Sequence, residues 1–146
     1  MLSKSLMAVL GTMALLPPVL VLGQVAGERA APATEKPRVF ELRTYTTEPG
    51  KLDALHARFR DHTTKLFEQH GMTNIGYWTP ADGPRSKDTL IYVLAHESRA
   101  AAEKSWLAFR NDPAWLKARG ESEAAGPIVR KVESVFMNPT DYSVIQ

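Results

Sequence analysis

The chain contains no cysteine, and this absence removes several kinds of chemistry at once. Without thiols there can be no disulfide bond, no thiolate nucleophile and no zinc or iron–sulfur site built on cysteine. A strong charge of one sign is also lacking, because 18 basic residues are interspersed with 16 acidic ones for a net charge of +2. So small and evenly spread a charge provides no electrostatic footprint for a nucleic acid, and we predict no nucleic-acid partner.

The sequence also lacks the short motifs of several enzyme classes. It has no Gly-x-Ser-x-Gly elbow, no P-loop and no Gly-x-Gly-x-x-Gly fingerprint, which are typical of acyl-transfer, nucleotide and dinucleotide enzymes. Its histidines, His56, His62, His70 and His96, do not show the His-x-x-x-His spacing of a metal site. We therefore predict no metal site and no intrinsic cofactor.

Long hydrophobic runs are represented only near the N-terminus. The uncharged stretch from Leu6 to Leu22 follows Lys4 and is interrupted by two prolines, so it is short for a membrane-spanning helix. A secretory signal peptide over residues 1–27 fits better, and the protein is then periplasmic or extracellular. An uncleaved anchor is the alternative, and only in that case do we expect membrane attachment.

The remainder divides into a linker and one domain. Residues 28–37 are rich in alanine, proline, glutamate and lysine and indicate a solvated linker, and residues 38–146 form the domain. Alternation over residues 38–47 predicts a first strand, and a helical period over residues 51–70 ends at Gly71. Further strands are predicted over residues 73–79, 89–96 and 129–138. A second helix starts after Ser98, and a short helix restarts at Asp112–Pro113 and closes at Gly120.

The order strand, helix, strand, strand, helix, strand predicts a ferredoxin-like α+β fold. In this fold a four-stranded antiparallel sheet carries both helices on one face. The other face is left bare, and a second copy of the chain is the commonest partner for such a face.

The first strand carries the most distinctive side chains of the domain. We expect Phe40 and Leu42 to lie under the helices, so that Glu41, Arg43 and Tyr45 point to the bare face. In one interpretation Glu41 or Tyr45 is an acid or base and Arg43 anchors an anion. In the other, which we favour, the three residues form an ion-pair cluster that seals a dimer interface.

Other candidates have two interpretations each. His62 is a candidate base near neutral pH, or simply a surface residue. The aromatic side chains could line a ligand pocket or fill the core, and we assign Trp106 and Phe109 to the core. The predicted pocket residues are Trp78, Tyr92 and His96.

From Val39 to about Ser143, a series of short sequence motifs resembles the NIPSNAP family in both content and order. These motifs are Glu41–Tyr45, Pro49–Leu52, His70–Gly71, Gly76–Trp78, Trp106 with Phe109, Asp112–Trp115, Glu133–Ser134 and Pro139–Ser143. The resemblance implies a ferredoxin-like protomer that pairs sheet to sheet as a dimeric α/β barrel. The wider superfamily includes cofactor-free monooxygenases and haem-degrading proteins, but the NIPSNAP family itself implies no agreed reaction. One departure is His96, where the resemblance implies an aromatic residue.

Three hypotheses follow. The first is an exported NIPSNAP-like homodimer that works as a binding or interaction module. The second is a cofactor-independent oxygenase- or isomerase-like enzyme that acts on a small hydrophobic or aromatic molecule, with Glu41, Arg43, Tyr45 and His62 as the catalytic residues. The third is haem binding, with His62 or His96 as the axial ligand.

Overall fold

The computed structural model describes residues 38–146, so the predicted signal peptide and linker lie outside the described residues. The four strands and the helical regions follow the predicted order of strand, helix, strand, strand, helix, strand. The strands are β1 (Val39–Thr47), β2 (Thr73–Trp78), β3 (Thr89–His96) and β4 (Val129–Met137); the α-helices are α1 (Leu52–Arg58), α2 (Thr64–Gln69), α3 (Arg99–Asn111) and α4 (Pro113–Ser122). A π-helical segment, Phe59–Thr63, joins α1 to α2, and a 3₁₀ turn, Pro84–Lys87, precedes β3.

The four strands form one antiparallel sheet in the order β2-β3-β1-β4. This is the ferredoxin-like arrangement, and the predicted fold class is confirmed. The two central strands are β1 and β3, which agrees with the apolar residues on both sides of β3. The outer strand β4 is largely exposed, with Lys131 and Glu133 along it, and such charges are typical of a protected sheet edge.

The predicted helix starts are confirmed, and one predicted helix end is wrong. The Ser98 side chain accepts a hydrogen bond from the Ala101 backbone N–H at 3.0 Å, as an N-cap should. Asp112 caps α4 in the same way through the Ala114 N–H at 2.7 Å. Gly120, however, lies inside α4, which continues to Ser122. The left-handed glycine of this region is Gly126, with φ of 101°.

The first helical region is interrupted at its centre. The helical period over residues 51–70 predicts one uninterrupted helix, but in the structure the π-helical segment inserts an extra residue between α1 and α2. The Thr63 hydroxyl donates to the Arg58 carbonyl, five residues earlier, at 3.2 Å. The insertion rotates the second half of the region, so that Phe67 joins Leu66 in the core. The region ends at Gly71 with φ of 74°, as predicted.

The core lies between the helices and one face of the sheet. Tyr92 is fully buried at its centre, with ring centroids 5.2 Å from Phe59, 5.3 Å from Tyr45 and 5.9 Å from Phe67. Trp106 and Phe109 are buried in the same cluster, which confirms their assignment to the core.

The predicted orientation of β1 is wrong. Tyr45 packs on Phe59 of the helical layer, and the Trp106 indole on α3 donates to Glu41, so these side chains face the helices. Phe40 and Leu42 therefore face the other way. Glu41 is tolerated inside because Trp106, together with residues of neighbouring strands, donates hydrogen bonds to its carboxylate.

Candidate functional site

Glu41 lies at the centre of a buried polar cluster beneath α3. Its Oε1 accepts hydrogen bonds from Arg43 Nη1 at 2.7 Å and from the Ser134 hydroxyl at 2.6 Å. Its Oε2 accepts from Trp106 Nε1 at 2.6 Å and from His96 Nε2 at 3.1 Å. Four donors from three strands and one helix therefore meet on a single carboxylate, which can accept about four hydrogen bonds.

The environment keeps Glu41 ionised. Burial by itself would raise the pKa of Glu41, which is only 1% exposed, but the hydrogen bonds from His96, Ser134, Trp106 and Arg43 outweigh that effect and lower the pKa from 4.5 to about 2. A carboxylate with so low a pKa is a weak base at neutral pH. The Glu41 carboxylate is therefore better suited to a structural role, as a buried anion that holds its donors, than to accepting a proton.

Arg43 and Tyr45 lie on the same face of β1 as Glu41, so the structure brings three of the four predicted catalytic residues together. The Arg43 guanidinium carbon lies 4.2 Å from the centroid of a Trp106 ring and 5.6 Å from that of Tyr45. The fourth residue, His62, lies elsewhere. It is exposed on the π-helical segment and lines a separate hollow beside Asp61.

The three predicted pocket residues do not converge. Tyr92 and His96 share the helix-facing side of β3, where both are buried. Burial raises the pKa of Tyr92 well above its ordinary value, and its hydroxyl has no hydrogen-bond partner within residues 38–146. Trp78 is 53% exposed on the opposite face of the sheet, where it lines a groove with Phe40 and Val93.

The sheet face opposite the helices is apolar along its middle. Leu42 of β1 pairs with Val93 of β3 on one side and with Val135 of β4 on the other, and this register forms a row of three aliphatic side chains. Val135 is 55% exposed. Below, this surface is called the open sheet face. The C-terminal residues reach one end of it, where Ile145 lines the same groove as Phe40.

Sequence reasoning missed several of these relationships. It placed Trp106 in the core without its hydrogen bond to Glu41, and it quoted Ser134 only as part of a family motif. The antiparallel register of β1 with β4 puts Ser134 opposite Arg43, so a correct strand pairing could have found that contact. It also missed His70, whose Nε2 lies 2.7 Å from Asp112 Oδ2.

Residues 38–146 contain no group of three or more histidine, aspartate or glutamate side chains arranged to hold a metal ion. In the same range, the helices fall short of the length and apolar character that crossing a membrane requires.

Solved structures with this fold include members of the NIPSNAP family. A NIPSNAP family protein of unknown function from Agrobacterium tumefaciens superposes with a TM-score of 0.65 at 20% identity, covering 76% of this chain and 96% of that one. An uncharacterised NIPSNAP-like domain protein from Burkholderia xenovorans gives a TM-score of 0.64 at 15% identity, covering 74% and 90%.

An enzyme with a related fold is more distant. A monooxygenase from Streptomyces coelicolor, in complex with nanaomycin D, gives a TM-score of 0.53 at 16% identity, covering 75% of this chain and 93% of that one. At such identity the likeness concerns the fold alone. A comparison with curated protein sequences finds no match.

The family model for NIPSNAP matches residues 40–144, which is nearly all of the domain that the structure describes. This match contains the β1 residues around Glu41, the Trp106 and Ser134 positions that bind them, and the open sheet face. The chain therefore belongs to the NIPSNAP family.

Proposed function

We propose that the protein is a homodimeric binding module in which the open sheet face of one copy pairs with that of a second. The observation that carries this proposal is the aliphatic row of Leu42, Val93 and Val135 on the face opposite the helices. Burying apolar surface of this kind in an interface stabilises the dimer by roughly 25 cal/mol per Å² removed from water.

A second copy suits this surface because it offers the same flat, apolar face. In the next cross-strand row, Trp78 of β2 and Ile91 of β3 are apolar. Thr44 of β1 and Glu133 of β4 continue this row as polar residues. Two identical faces related by a two-fold axis can bury the apolar residues of both rows at once. The charged residues Lys131 and Glu133 on β4 would then lie at the rim, where polar residues are common in interfaces.

Size-exclusion chromatography with light scattering tests this proposal. At micromolar concentration the protein should give about twice the mass of the chain, and the substitution Val135→Asp should convert it to a monomer. An aspartate is tolerated at this exposed position in a monomer but is costly when buried in an apolar interface. The matched control is Leu107→Asp, which changes a similarly exposed side chain on α3 and should leave the dimer intact.

A monomeric mass for the unsubstituted protein would overturn the proposal. A dimer that survives Val135→Asp but dissociates with Leu107→Asp would place the interface on the helices instead.

The alternative hypothesis of a cofactor-independent enzyme has weaker support. A substrate at the centre of the core would need room where Tyr92, Phe67 and Phe109 are packed together. Glu41, which has a low pKa and already accepts four hydrogen bonds, is also a poor proton acceptor. A packed core centre and an ionised carboxylate whose oxygens are already hydrogen-bonded both favour binding over catalysis.

Export belongs to the same proposal and rests on the sequence of residues 1–27. We expect the segment to be removed during secretion. N-terminal sequencing of the protein recovered outside the cytoplasm should begin near residue 24 or 28. Recovery from the membrane fraction with Met1 retained would favour the anchor instead.

A further inference from the structure

A cavity of about 310 Å³ lies between α3, α4 and the helix-facing side of the sheet, and its charged lining is mostly basic. Four arginines reach it, namely Arg43, Arg58, Arg110 and Arg119, and the acidic residue in its lining is Glu123. We call it the arginine pocket. It is separated from the open sheet face by the sheet itself.

The positive charge of the arginine pocket exceeds the negative charge that neutralises it. Glu123 is shared, because its Oε1 accepts from Arg58 Nη1 at 2.9 Å and its Oε2 accepts from Arg119 Nε at 3.1 Å. Arg43 is paired with Glu41. Arg110 has no carboxylate within salt-bridge distance anywhere in residues 38–146. An anion would therefore find uncompensated charge here.

Two of these arginines also have donor groups left over. The Nε–H groups of Arg43 and Arg58 are buried, and neither has an acceptor in the part of the chain that the structure describes. Arg58 is only 4% exposed, which is rare for a charged side chain. Buried donors without acceptors are unusual in folded proteins, and they leave the charge of both guanidinium groups incompletely compensated.

Aromatic rings form the other wall of the arginine pocket. The Phe109 and Trp115 rings lie 4.5 Å apart with an interplanar angle of 33°. The Arg58 guanidinium carbon is 5.3 Å from the Trp115 ring centroid, and that of Arg43 is 4.2 Å from a Trp106 ring. Flat cations thus lie against flat rings along the wall of the arginine pocket, which is the kind of surface that another planar group contacts favourably.

We infer that the arginine pocket binds a small aromatic carboxylate, with the carboxylate on the arginines and the ring against Trp106 and Trp115. The guanidinium fork matches a carboxylate with two parallel hydrogen bonds. The cavity volume is at the lower end of the range of about 300–1,000 Å³ for ligand sites, which suits a molecule of one or two rings.

This inference goes beyond the homodimer proposal and does not depend on it. The ligand would bind on the helix side of the sheet, whereas the second copy would cover the other side. A protein that has twice the chain mass but does not bind the ligand would contradict only this inference. A protein that binds the ligand but has the mass of one chain would contradict only the homodimer proposal.

Isothermal titration calorimetry of the full chain with 2-naphthoate tests the inference, and 2-naphthamide is the matched uncharged probe. The two molecules share one ring body, so the carboxylate accounts for any difference between them. We expect naphthoate to bind at least about tenfold more tightly than naphthamide, which corresponds to about 1.4 kcal/mol. Raising the salt concentration from about 0.05 M to about 0.5 M should weaken naphthoate binding and leave naphthamide binding unchanged.

The location is tested with Arg110→Gln combined with Arg119→Gln. Both side chains are exposed, so the variant should fold, and naphthoate binding should weaken at least about fivefold. If the double variant does not fold, Arg110→Gln alone serves, because this arginine forms no ion pair within the described range. Arg85→Gln, on the 3₁₀ turn outside the pocket, is the control and should bind normally.

The inference is overturned by any of three results. These are the absence of detectable heat with naphthoate at millimolar concentration, equal affinities for naphthoate and naphthamide, and an unchanged naphthoate affinity in a folded Arg110→Gln variant.

Discussion

The indole Nε1 of Trp106 donates a 2.6 Å hydrogen bond to Oε2 of Glu41, across 65 residues of sequence. This bond ties α3 to the central strand β1 at a point where both side chains are buried. Because the carboxylate also holds Arg43, His96 and Ser134, a single acidic group links β1, β3, β4 and α3. The Glu41 carboxylate therefore helps to position α3 on the sheet, in addition to the core contacts of Ala102 and Phe109.

Replacing Glu41 by glutamine should destabilise the domain strongly. Glutamine has nearly the same shape, but its amide nitrogen cannot accept a hydrogen bond, and Arg43 loses its carboxylate partner. Breaking a buried ion pair in this way costs about 3 kcal/mol or more in the free energy of unfolding. Urea unfolding at neutral pH and fixed protein concentration, followed by circular dichroism, measures the loss.

The control for this experiment is Glu103→Gln on α3. Glu103 forms an exposed ion pair with Arg99 at 3.6 Å, and exposed pairs contribute less than about 1 kcal/mol. Equal losses in the two variants would show that the buried cluster has no special role in stability.

The pH dependence of stability should also reveal Glu41. Its pKa is about 2 in the folded protein, against a usual value of 4.5, so the unfolded state takes up a proton first as the pH falls. The stabilisation by ionised Glu41 is complete above pH 4.5 and declines as the pH falls towards 2. Protonated glutamic acid is chemically similar to glutamine. The difference in unfolding free energy between the unsubstituted protein and Glu41→Gln should therefore narrow over this pH range.

This comparison removes the effects of the other acidic groups. The pKa values of Asp112 and Glu123 are also lowered, so both proteins lose stability in acid. Since that loss is common to both, only the difference reports on Glu41. A difference that stays constant down to pH 2 would contradict the prediction.

The fold was predictable from the sequence because its signals are local. The bounds of β3, the caps at Ser98 and Asp112, and the helix end at Gly71 depend on neighbouring residues or on a period within one element. The orientation of β1 was not predictable in the same way. The direction in which the Glu41 side chain points depends on the donors Trp106, His96 and Ser134. These residues are 65, 55 and 93 residues away from Glu41 in the sequence.

The arginine pocket could not be predicted from the sequence for the same reason. Arg43, Arg58, Arg110 and Arg119 belong to β1, α1, α3 and α4, so no spacing in the sequence brings them together. The π-helical segment adds a second difficulty, since its extra residue shifts every later position of the helical period. Only the three-dimensional structure reveals the grouping of the four arginines and the π-helical segment.

Two glycines should respond to alanine in opposite ways. Gly71 has φ of 74°, a conformation that alanine adopts with strain, so Gly71→Ala should lower the free energy of unfolding by about 1 kcal/mol. Gly120 lies within α4, and the Cβ that alanine would add there meets open space, so Gly120→Ala should raise the free energy of unfolding by about 0.5–1 kcal/mol. Thermal melts of the two variants give the signs directly. Shifts of the same sign would contradict the assigned backbone conformations.

Asp112 should be the more important of the two helix caps, because it serves two elements at once. Its Oδ1 accepts from the first N–H groups of α4, and its Oδ2 lies 2.7 Å from His70 Nε2, just beyond the end of α2. The hydrogen bond from His70 is also the main reason that the pKa of Asp112 is lowered.

We expect Asp112→Ala to lower the urea midpoint more than Ser98→Ala does. Ser98 caps only α3, and loss of such a cap costs about 1 kcal/mol. Asp112→Asn retains an oxygen for the cap but replaces the oxygen that faces His70, so its effect should be intermediate between no change and that of alanine. Equal midpoints for Asp112→Ala and Ser98→Ala would show that the contact with His70 contributes nothing. An asparagine variant as unstable as the alanine variant would instead assign the whole effect to His70.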